Sequence, residues 1–248
     1  MQSGVLLYCF DTPQCAYSRI AHKTVPLIQH HLGLPVTVVT DSVTAESLKG
    51  LEVNTIIGEY SQGNTKMGRP WYNLERHLAY EHSPYDRTLV LDVDYFVFSK
   101  KLLTLMDAED DFLIHSAAFD LTHRQKYTYD RESMMPLVWA TVLIFSRGNR
   151  AKSIFDMVRY VKDHYKHFCN LYRISYTNFR NDYAFAIALN QLSGHRAYSV
   201  IPDAIATLPA DSQVISMDNT GLAYSWMDRC SFVTDMDVHV LNKEVALV

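Results

Sequence analysis

Leu89-Val90-Leu91-Asp92-Val93-Asp94 is the stretch that decides the fold, because an apolar run of strand length ends there at two acids one residue apart. The run Thr88–Leu91 is typical of a central parallel strand that is covered on both faces. In open α/β sheets, ligands bind at the carboxyl ends of the strands. Alternate residues of an extended chain share a side, so Asp92 and Asp94 can converge on one cation. Carboxylate oxygens suit Mg²⁺ or Mn²⁺, and diphosphate oxygens would fill the remaining positions.

The same two acids have a structural alternative. A strand end can simply expose a pair of solvated carboxylates, and Asp-x-Asp occurs often by chance. The buried strand before the acids and their position near residue 90 favour a functional site.

The segments around this stretch predict an α/β chain. In the first half we expect strands at Val5–Phe10, Val36–Thr40 and Thr55–Ile57 before the one at Thr88–Leu91, with a helix from Ala16 to about Leu32 and another after Gly68. Pro26 is expected to bend or divide the first helix, and Pro70 to lie in the first turn of the second. This order indicates a doubly wound half.

The second half of the chain is more mixed. Helical spacing of apolar residues predicts two helices, Ala151–Phe168 and Asp182–Leu192. Four further strands are predicted, at Phe112–His115, Val138–Phe145, near Ser199–Ile201 and at Val238–Leu241.

Composition excludes several classes of protein. The 248 residues are 48% hydrophobic and 20% charged, too apolar for a disordered chain, and 9 Gly and 8 Pro exclude a collagen-like sequence. No apolar run approaches the ~20 residues that span a bilayer, so a membrane-spanning protein is excluded. The four cysteines form no Cys-x-x-Cys pair, and the histidines lack zinc-site spacing. The N-terminus lacks signal-peptide features, so we expect a cytoplasmic protein.

Basic residues are concentrated between Arg147 and Arg180. This segment contains eight basic residues and two acids, so its local charge is +6 in a chain whose net charge is −4. On the predicted helix Ala151–Phe168, four of these fall within about 80° of arc at 100° per residue. We call this set the basic stripe; it comprises Lys152, Arg159, Lys162 and Lys166. A solvated helix face is the default explanation, and a face that tracks nucleic-acid phosphates is the functional one.

With its Asp-x-Asp after the fourth main strand, the chain resembles the GT-A class of nucleotide-sugar glycosyltransferases. Leu7–Tyr17 matches the first strand and nucleotide-contacting turn of that class. Leu137–Arg147 is similar to its acceptor-side strand, with Trp139-Ala140-Thr141 in place of the usual Asn-x-Gly. Arg180-Asn181-Asp182-Tyr183-Ala184, followed by Leu189-Asn190, resembles the Asp-containing helix start of glycogenin-like and galactosyltransferase-like members. Asp237–Lys243 resembles their C-terminal metal and phosphate segment, without its Gly and Pro-Trp.

The resemblance implies a single GT-A (Rossmann-like) α/β domain over residues 1–248, with a mostly parallel central sheet and helices on both faces. Residues up to about 98 would form the nucleotide-sugar-binding half, and the rest the acceptor-side half. It implies a Mn²⁺ or Mg²⁺ ion held by Asp92, Asp94 and His239, and a catalytic Asp182. The donor contacts that it implies are Asp11, Tyr17, Arg69, Asp92 and Lys243.

Each of these residues also has a structural alternative. His239 could be a packing residue among apolar neighbours, and Lys243 and Arg69 could be solvated charges. Asp182 could be a helix N-cap. Asp11 and Tyr17 could merely shape the turn.

The function expected from these features is metal-dependent transfer of a hexosyl or pentosyl group from a nucleoside diphosphate, most readily UDP, to a hydroxyl. The chain looks similar to small phage-encoded transferases that decorate hydroxymethylated DNA bases. Duplex DNA, contacted by the basic stripe, is therefore the expected acceptor, and host cytoplasm the expected location. The aromatic and basic residues from Arg124 to Arg131, which include Tyr127 and Tyr129, could stack on bases or sugars, or form an ordinary loop.

Two alternatives of other classes stay open. A nucleotidyltransferase or phosphotransferase could use the same paired acids, but it would typically carry a Gly-rich or Lys-bearing phosphate loop, and Val5–Tyr17 has no glycine. A non-catalytic nucleic-acid-binding module would need neither Asp92 nor Asp94.

Overall fold

A computed structural model describes residues 2–58, 65–66, 69–70, 73–129, 135–175 and 179–247, without the side chains at 65, 66, 69, 70, 73, 74 and 246. The described strands are β1 (Ser3–Tyr8), β2 (Val36–Thr40), β3 (Asn54–Ile57), β4 (Thr65–Lys66), β5 (Arg69–Pro70), β6 (Arg87–Asp92), β7 (Tyr95–Phe96), β8 (Phe112–His115), β9 (Ala118–Asp120), β10 (Gln125–Tyr127), β11 (Trp139–Ser146), β12 (Ile205–Leu208), β13 (Gln213–Met217), β14 (Gly221–Trp226), β15 (Arg229–Thr234) and β16 (Val238–Val240). The described helices are α1 (Tyr17–Leu32), α2 (Ser42–Ser47), α3 (Ala79–His82), α4 (Lys101–Met106), α5 (Asn149–Asp163), α6 (Tyr165–Leu171) and α7 (Asn181–Leu192), with 3-10 helices at Asn73–Leu78 and Lys243–Leu247.

The central sheet has the strand order β3-β2-β1-β6-β11-β8. Its first four strands are parallel, and β11 runs antiparallel to both of its neighbours. The expected central parallel strand is β6, which lies beside β1 with Tyr8 opposite Asp92. The carboxyl ends of these two strands therefore meet at one edge of the sheet.

Helices cover both faces of this sheet, as predicted. Successive side chains of a strand point to opposite faces. Val5 and Leu7 of β1 belong to the apolar cluster that includes α1 and α4, whereas Leu6 and Tyr8 belong to the cluster that includes α5 and α7. Both faces of β1 are thus buried, which explains its continuous apolar sequence.

A second sheet, of order β10-β9-β12-β16-β7, carries the C-terminal segment to the Asp-x-Asp turn. β7 begins one residue after Asp94 and pairs antiparallel with β16, with His239 opposite Tyr95. The Val240 N–H also donates to the Asp94 carbonyl at 3.0 Å. This pairing fixes His239 next to two residues that are far away in sequence.

The third sheet is an antiparallel meander of order β13-β14-β15. Its inner face packs against α1 in a cluster that contains Ile20, Leu27, Val214, Leu222 and Val233.

Pro26 does not divide its helix, and Pro70 lies in a different element from the one predicted. α1 runs unbroken through Pro26, which is solvent-exposed, so water can satisfy the carbonyl that loses its intrahelical donor. Pro70 does not open a helix but lies in the short strand β5, opposite Thr65. The helical segment after it starts as a 3-10 helix at Asn73.

Other elements also differ. The predicted helix Ala151–Phe168 is divided at His164, whose φ of −114° and ψ of 27° are not helical, into α5 and α6. The strand expected near Ser199–Ile201 is reduced to one bridge between Ile201 and His115. The strands β4, β5, β7, β9, β10 and β12 to β15 were not predicted. No described helix has both the length and the apolar surface that crossing a membrane requires.

Candidate active site

An open cavity of about 770 Å³ lies where the carboxyl ends of β1 and β6 meet β16. The central sheet supplies one wall, and the second sheet supplies the opposite wall through β9, β12 and β16. Its polar lining includes Tyr8, Tyr17, Arg76, Asp92, Asp94, Asp182, His239 and Lys243.

Asp92, Asp94 and His239 form a cluster in this cavity. His239 Nε2 lies 3.3 Å from Asp94 Oδ1 and 3.8 Å from Asp92 Oδ2. One ligand atom from each residue lies within 4.8 Å of the other two. Two carboxylates and an imidazole are a donor set that suits a divalent cation, so the residues fit the expected metal.

Lys243 completes the charge arrangement around Asp94. Its Nζ donates to Asp94 Oδ2 from the 3-10 helix that follows β16. Burial alone would raise the pKa of Asp94, but the charges of Lys243 and His239 outweigh burial and lower that pKa well below its usual range. Burial would likewise lower the pKa of His239, and the facing carboxylates, Asp94 above all, raise it instead. Asp94 is therefore held ionised.

Arg76 is a functional candidate that sequence reasoning missed. Its side chain is only 2% exposed and donates to Asp92 Oδ1 and to the Ala140 carbonyl. In the α-helix predicted after Gly68, Leu74 and Leu78 would share one face, and Arg76 would lie about 200° from Leu74 on another. The segment is instead a 3-10 helix in which Arg76 is buried, and no signal in the sequence indicates that burial.

Asp182 lies in the first turn of α7, and Arg180 rather than Asp182 occupies the N-cap position. Its Oδ1 accepts from the Ala140 N–H at 2.9 Å, and its Oδ2 accepts from Arg180 Nη2 at 3.2 Å. The Ala140 backbone thus donates to Asp182 through its N–H and accepts from Arg76 through its carbonyl. It links the Asp92 side of the cavity to the Asp182 side.

Of the remaining predicted donor contacts, the structure places one in the cavity, one outside it, and leaves the side chain of the third undescribed. Tyr17 lines the cavity, with Lys243 Nζ 5.9 Å from its ring centroid. Both carboxylate oxygens of Asp11 accept from Ser18, each at 2.7 Å, so Asp11 shapes the turn before α1 and does not line the cavity. Arg69 lies in β5, but its side chain is outside the described part of the chain.

The basic stripe lies outside the cavity and is divided between two helices. Lys152 pairs with Asp156 at 2.6 Å, and Arg159 pairs with Glu81. Lys162 is on α5 and Lys166 on α6, beyond the break at His164.

The interleaved aromatic segment is partly within the described residues. Tyr127 and Tyr129 both line the cavity and are exposed to solvent, whereas Arg131 lies outside the described residues. Leu137 and Trp139 also line the cavity. Tyr127 and Tyr129 present flat aromatic surface to the cavity, and we call them the aromatic wall.

Comparison with known proteins finds likeness in structure alone. No protein-family model matches the chain, and no curated protein sequence does. An active-site mutant of LgtC is 19% identical, with a TM-score of 0.47 over 76% of this chain and 69% of its own. The apo form of the glycosyltransferase GlyE of Streptococcus pneumoniae TIGR4 is 14% identical, with a TM-score of 0.48 over 82% of this chain but only 46% of its own.

The apo form of mouse xyloside xylosyltransferase 1 gives the fuller superposition. It is 10% identical, with a TM-score of 0.52 over 80% of this chain and 85% of its own. At such identity the likeness concerns the path of the backbone and not the activity. The chain has the GT-A fold that its sequence resemblance implies.

Proposed function

We propose that this protein transfers a sugar from a nucleoside diphosphate to a hydroxyl group, with the help of a divalent cation. The observation that carries the proposal is the cluster of Asp92, Asp94 and His239 in a cavity at the carboxyl end of the central strands. Two cationic side chains, Arg76 and Lys243, border the same cluster. A nucleoside-diphosphate donor requires carboxylates that bind its divalent metal ion. It also requires positively charged side chains that contact its phosphates.

Asp92, Asp94 and His239 would hold Mn²⁺ or Mg²⁺. The chemistry that such an ion supplies is neutralisation of the charge that builds on the diphosphate as the sugar leaves. Lys243 would add a second positive charge on the diphosphate side, because its Nζ lies at the rim formed by Asp94 and Tyr17. Tyr17 would contact the nucleoside.

Arg76 would orient the donor indirectly. Its guanidinium fixes the Asp92 carboxylate and, through the Ala140 peptide, the position of Asp182. A carboxylate at Asp182 can orient the acceptor hydroxyl or stabilise positive charge on the anomeric carbon. Since one of its oxygens accepts from a backbone N–H, Asp182 keeps one fixed orientation during either task.

We further propose that the donor is a UDP-sugar and that the acceptor is a hydroxymethylated base of duplex DNA. The basic stripe supports the DNA acceptor through charge, although Lys152 and Arg159 already have acidic partners. The aromatic wall of Tyr127 and Tyr129 supports an acceptor with a flat face, such as a base or a sugar ring. Transfer only to a small-molecule or protein hydroxyl would exclude DNA as the acceptor.

The first experiment is a screen of nucleoside-diphosphate sugars for thermal stabilisation with Mn²⁺, with Mg²⁺ and with chelator. A ligand at about 100 times its Kd adds about 2.7 kcal/mol to the free energy of unfolding. For a chain of this size each kcal/mol raises Tm by about 2–4 °C, so we expect a rise of about 5–10 °C that chelator abolishes. Stabilisation by nucleoside triphosphates alone would favour the nucleotidyltransferase.

Asp94→Asn is the matching variant, and Asp203→Asn is its control, because Asp203 is exposed and lies outside the cavity. We expect the first variant to lose both the metal-dependent stabilisation and sugar transfer, and the second to retain them. Transfer by Asp94→Asn at the parental rate would refute the proposed site. If duplex-DNA binding survived in both variants and no donor bound, the protein would be a non-catalytic nucleic-acid-binding module.

A further inference from the structure

β15 is an edge strand of the three-stranded sheet. Within the described residues it pairs with β14 and with no other strand. The hairpin between the two strands has the two loop residues Met227 and Asp228, and the register shows no bulge from Trp226 opposite Arg229 to Gly221 opposite Thr234. The hydrogen-bonding pattern of the free edge can therefore be worked out from the loop.

In a two-residue hairpin, the residues that flank the loop form a hydrogen-bonded pair, and such pairs then alternate along the strands. Arg229 is the flanking residue, so every second residue from it turns its backbone groups toward β14. The residues between them turn their N–H and C=O groups outward, to the free edge. These outward-facing residues are Cys230, Phe232 and Thr234.

The residues of β15 itself include none of the sequence features that usually protect an edge strand from pairing with another strand. Natural edges are blunted by Lys, Pro, bulges or inward-pointing charges. β15 instead presents Phe232, which is 78% exposed, in the middle of the strand. The exposed Cys230 lies two residues before it. Charged residues occur only at the two ends, with Arg229 first and Asp235 just after the last residue.

This arrangement is self-complementary in charge. If a second copy pairs antiparallel with Phe232 opposite Phe232, then Arg229 of each copy lies opposite Asp235 of the other, the bend residue with a φ of 52° that follows the end of β15. Cys230 of each copy lies opposite Thr234, and all the outward-facing residues fall in hydrogen-bonded pairs. A slip by two residues towards the hairpin would separate the opposite charges and run one end of the pairing into the loop, and a slip the other way would extend the pairing beyond Thr234, where β15 ends.

We propose that two copies of this chain form a reversible dimer by antiparallel pairing of their β15 strands about Phe232. The pairing extends the three-stranded sheet to six strands across a two-fold axis. The contact is narrow, so the dimer dissociates on dilution. It does not depend on the proposed sugar transfer.

The test uses two charge variants of the full chain, Arg229→Glu and Asp235→Lys, in sedimentation velocity over a dilution series. Each variant alone places like charges opposite each other at both ends of the pairing, and we expect its association constant to fall at least about tenfold. An equimolar mixture of the two variants restores opposite charges at both ends, and we expect it to dimerise like the parent. Arg196→Glu, an exposed charge reversal elsewhere, is the control and should leave dimerisation unchanged.

Hydrogen exchange supplies a second measurement, with an internal control. The amides of Cys230, Phe232 and Thr234 should exchange more slowly as protein concentration rises, whereas those of Ser231 and Val233, already bonded to β14, should not respond. Reducing agent should leave the dimer intact, because the two Cys230 side chains do not face each other. A parent that stays monomeric at every concentration, or single variants that dimerise as well as their mixture, would overturn the proposal.

Discussion

Arg76→Met separates the stability of the site from its chemistry. The guanidinium is buried and serves two acceptors, Asp92 Oδ1 and the Ala140 carbonyl. Removing one partner of a buried pair typically costs about 3–5 kcal/mol, because the other charge stays desolvated. The Asp92 side chain is 16% exposed and can recruit some water, so we expect the lower end, about 3 kcal/mol.

Arg87→Met is the matched control. Arg87 is also a buried arginine, and it lies at the start of β6, away from Asp92 at the end of that strand. It donates to Ser146 Oγ at 2.8 Å and to the Leu105 carbonyl at 3.0 Å. It does not line the cavity. Both variants should therefore lose free energy of unfolding in urea, but only Arg76→Met should also lose sugar transfer, by about 10²–10³-fold, because a misplaced carboxylate binds and orients the donor poorly.

The double variant Arg76→Met with Asp92→Asn removes both buried charges. It should recover part of the lost stability but none of the transfer. Equal transfer rates for Arg76→Met and Arg87→Met, measured at saturating donor and below the transition temperature of both, would refute a role for Arg76 in the site. Unchanged stability of Arg76→Met would refute the energetic reasoning as well.

Three further predictions concern other parts of the molecule. His239→Ala should shift the metal titration of donor-dependent stabilisation to higher concentration without abolishing it, since two carboxylates remain; a titration that overlays the parent's would make His239 a packing residue. Replacing Lys162 and Lys166 together by Ala should flatten the slope of log K against log[salt] for duplex DNA by up to about two units, at about 0.9 for each phosphate, with donor binding unchanged; a parent without salt-sensitive DNA binding would contradict it. Burial lowers the pKa of His115 to about 4, below its usual 6.5, so the stability that its neutral form contributes is present above pH 6.5 and is lost as pH falls towards 4. Between pH 7.5 and 4.5 the free energy of unfolding of His115→Gln should fall by about 2–3 kcal/mol less than the parent's, and equal losses would contradict the shift.

The parts of the site that could be predicted are those encoded by neighbours in sequence. Asp92 and Asp94 follow a buried strand directly, so local pattern and the strand-end rule together indicate their position. His239 and Lys243 entered only through the family resemblance, and the structure brings both to Asp94. Their roles as metal ligand and diphosphate contact stay predictions.

The parts that could not be predicted depend on tertiary pairing. Arg76 lines the cavity from a 3-10 segment, whose periodicity differs from that of the α-helix predicted there. The meander of β13 to β15 mixes buried and exposed residues irregularly, with a register shift near Val214, so period-two alternation is weak. No Gly or Pro near His164 indicates in the sequence that the predicted helix divides there.

The pairing of β7 with β16 has a consequence for folding. Lys243 and Asp94 are 149 residues apart, so the counter-charges of the acidic turn arrive only when the last strand docks. Until then Asp94 has neither its lysine nor its histidine partner, and closing a loop of that length carries a large entropic barrier. Chains truncated before Val238 would therefore keep the central sheet while the acidic turn stays open to solvent, and the proposed metal site would assemble only after β16 has docked.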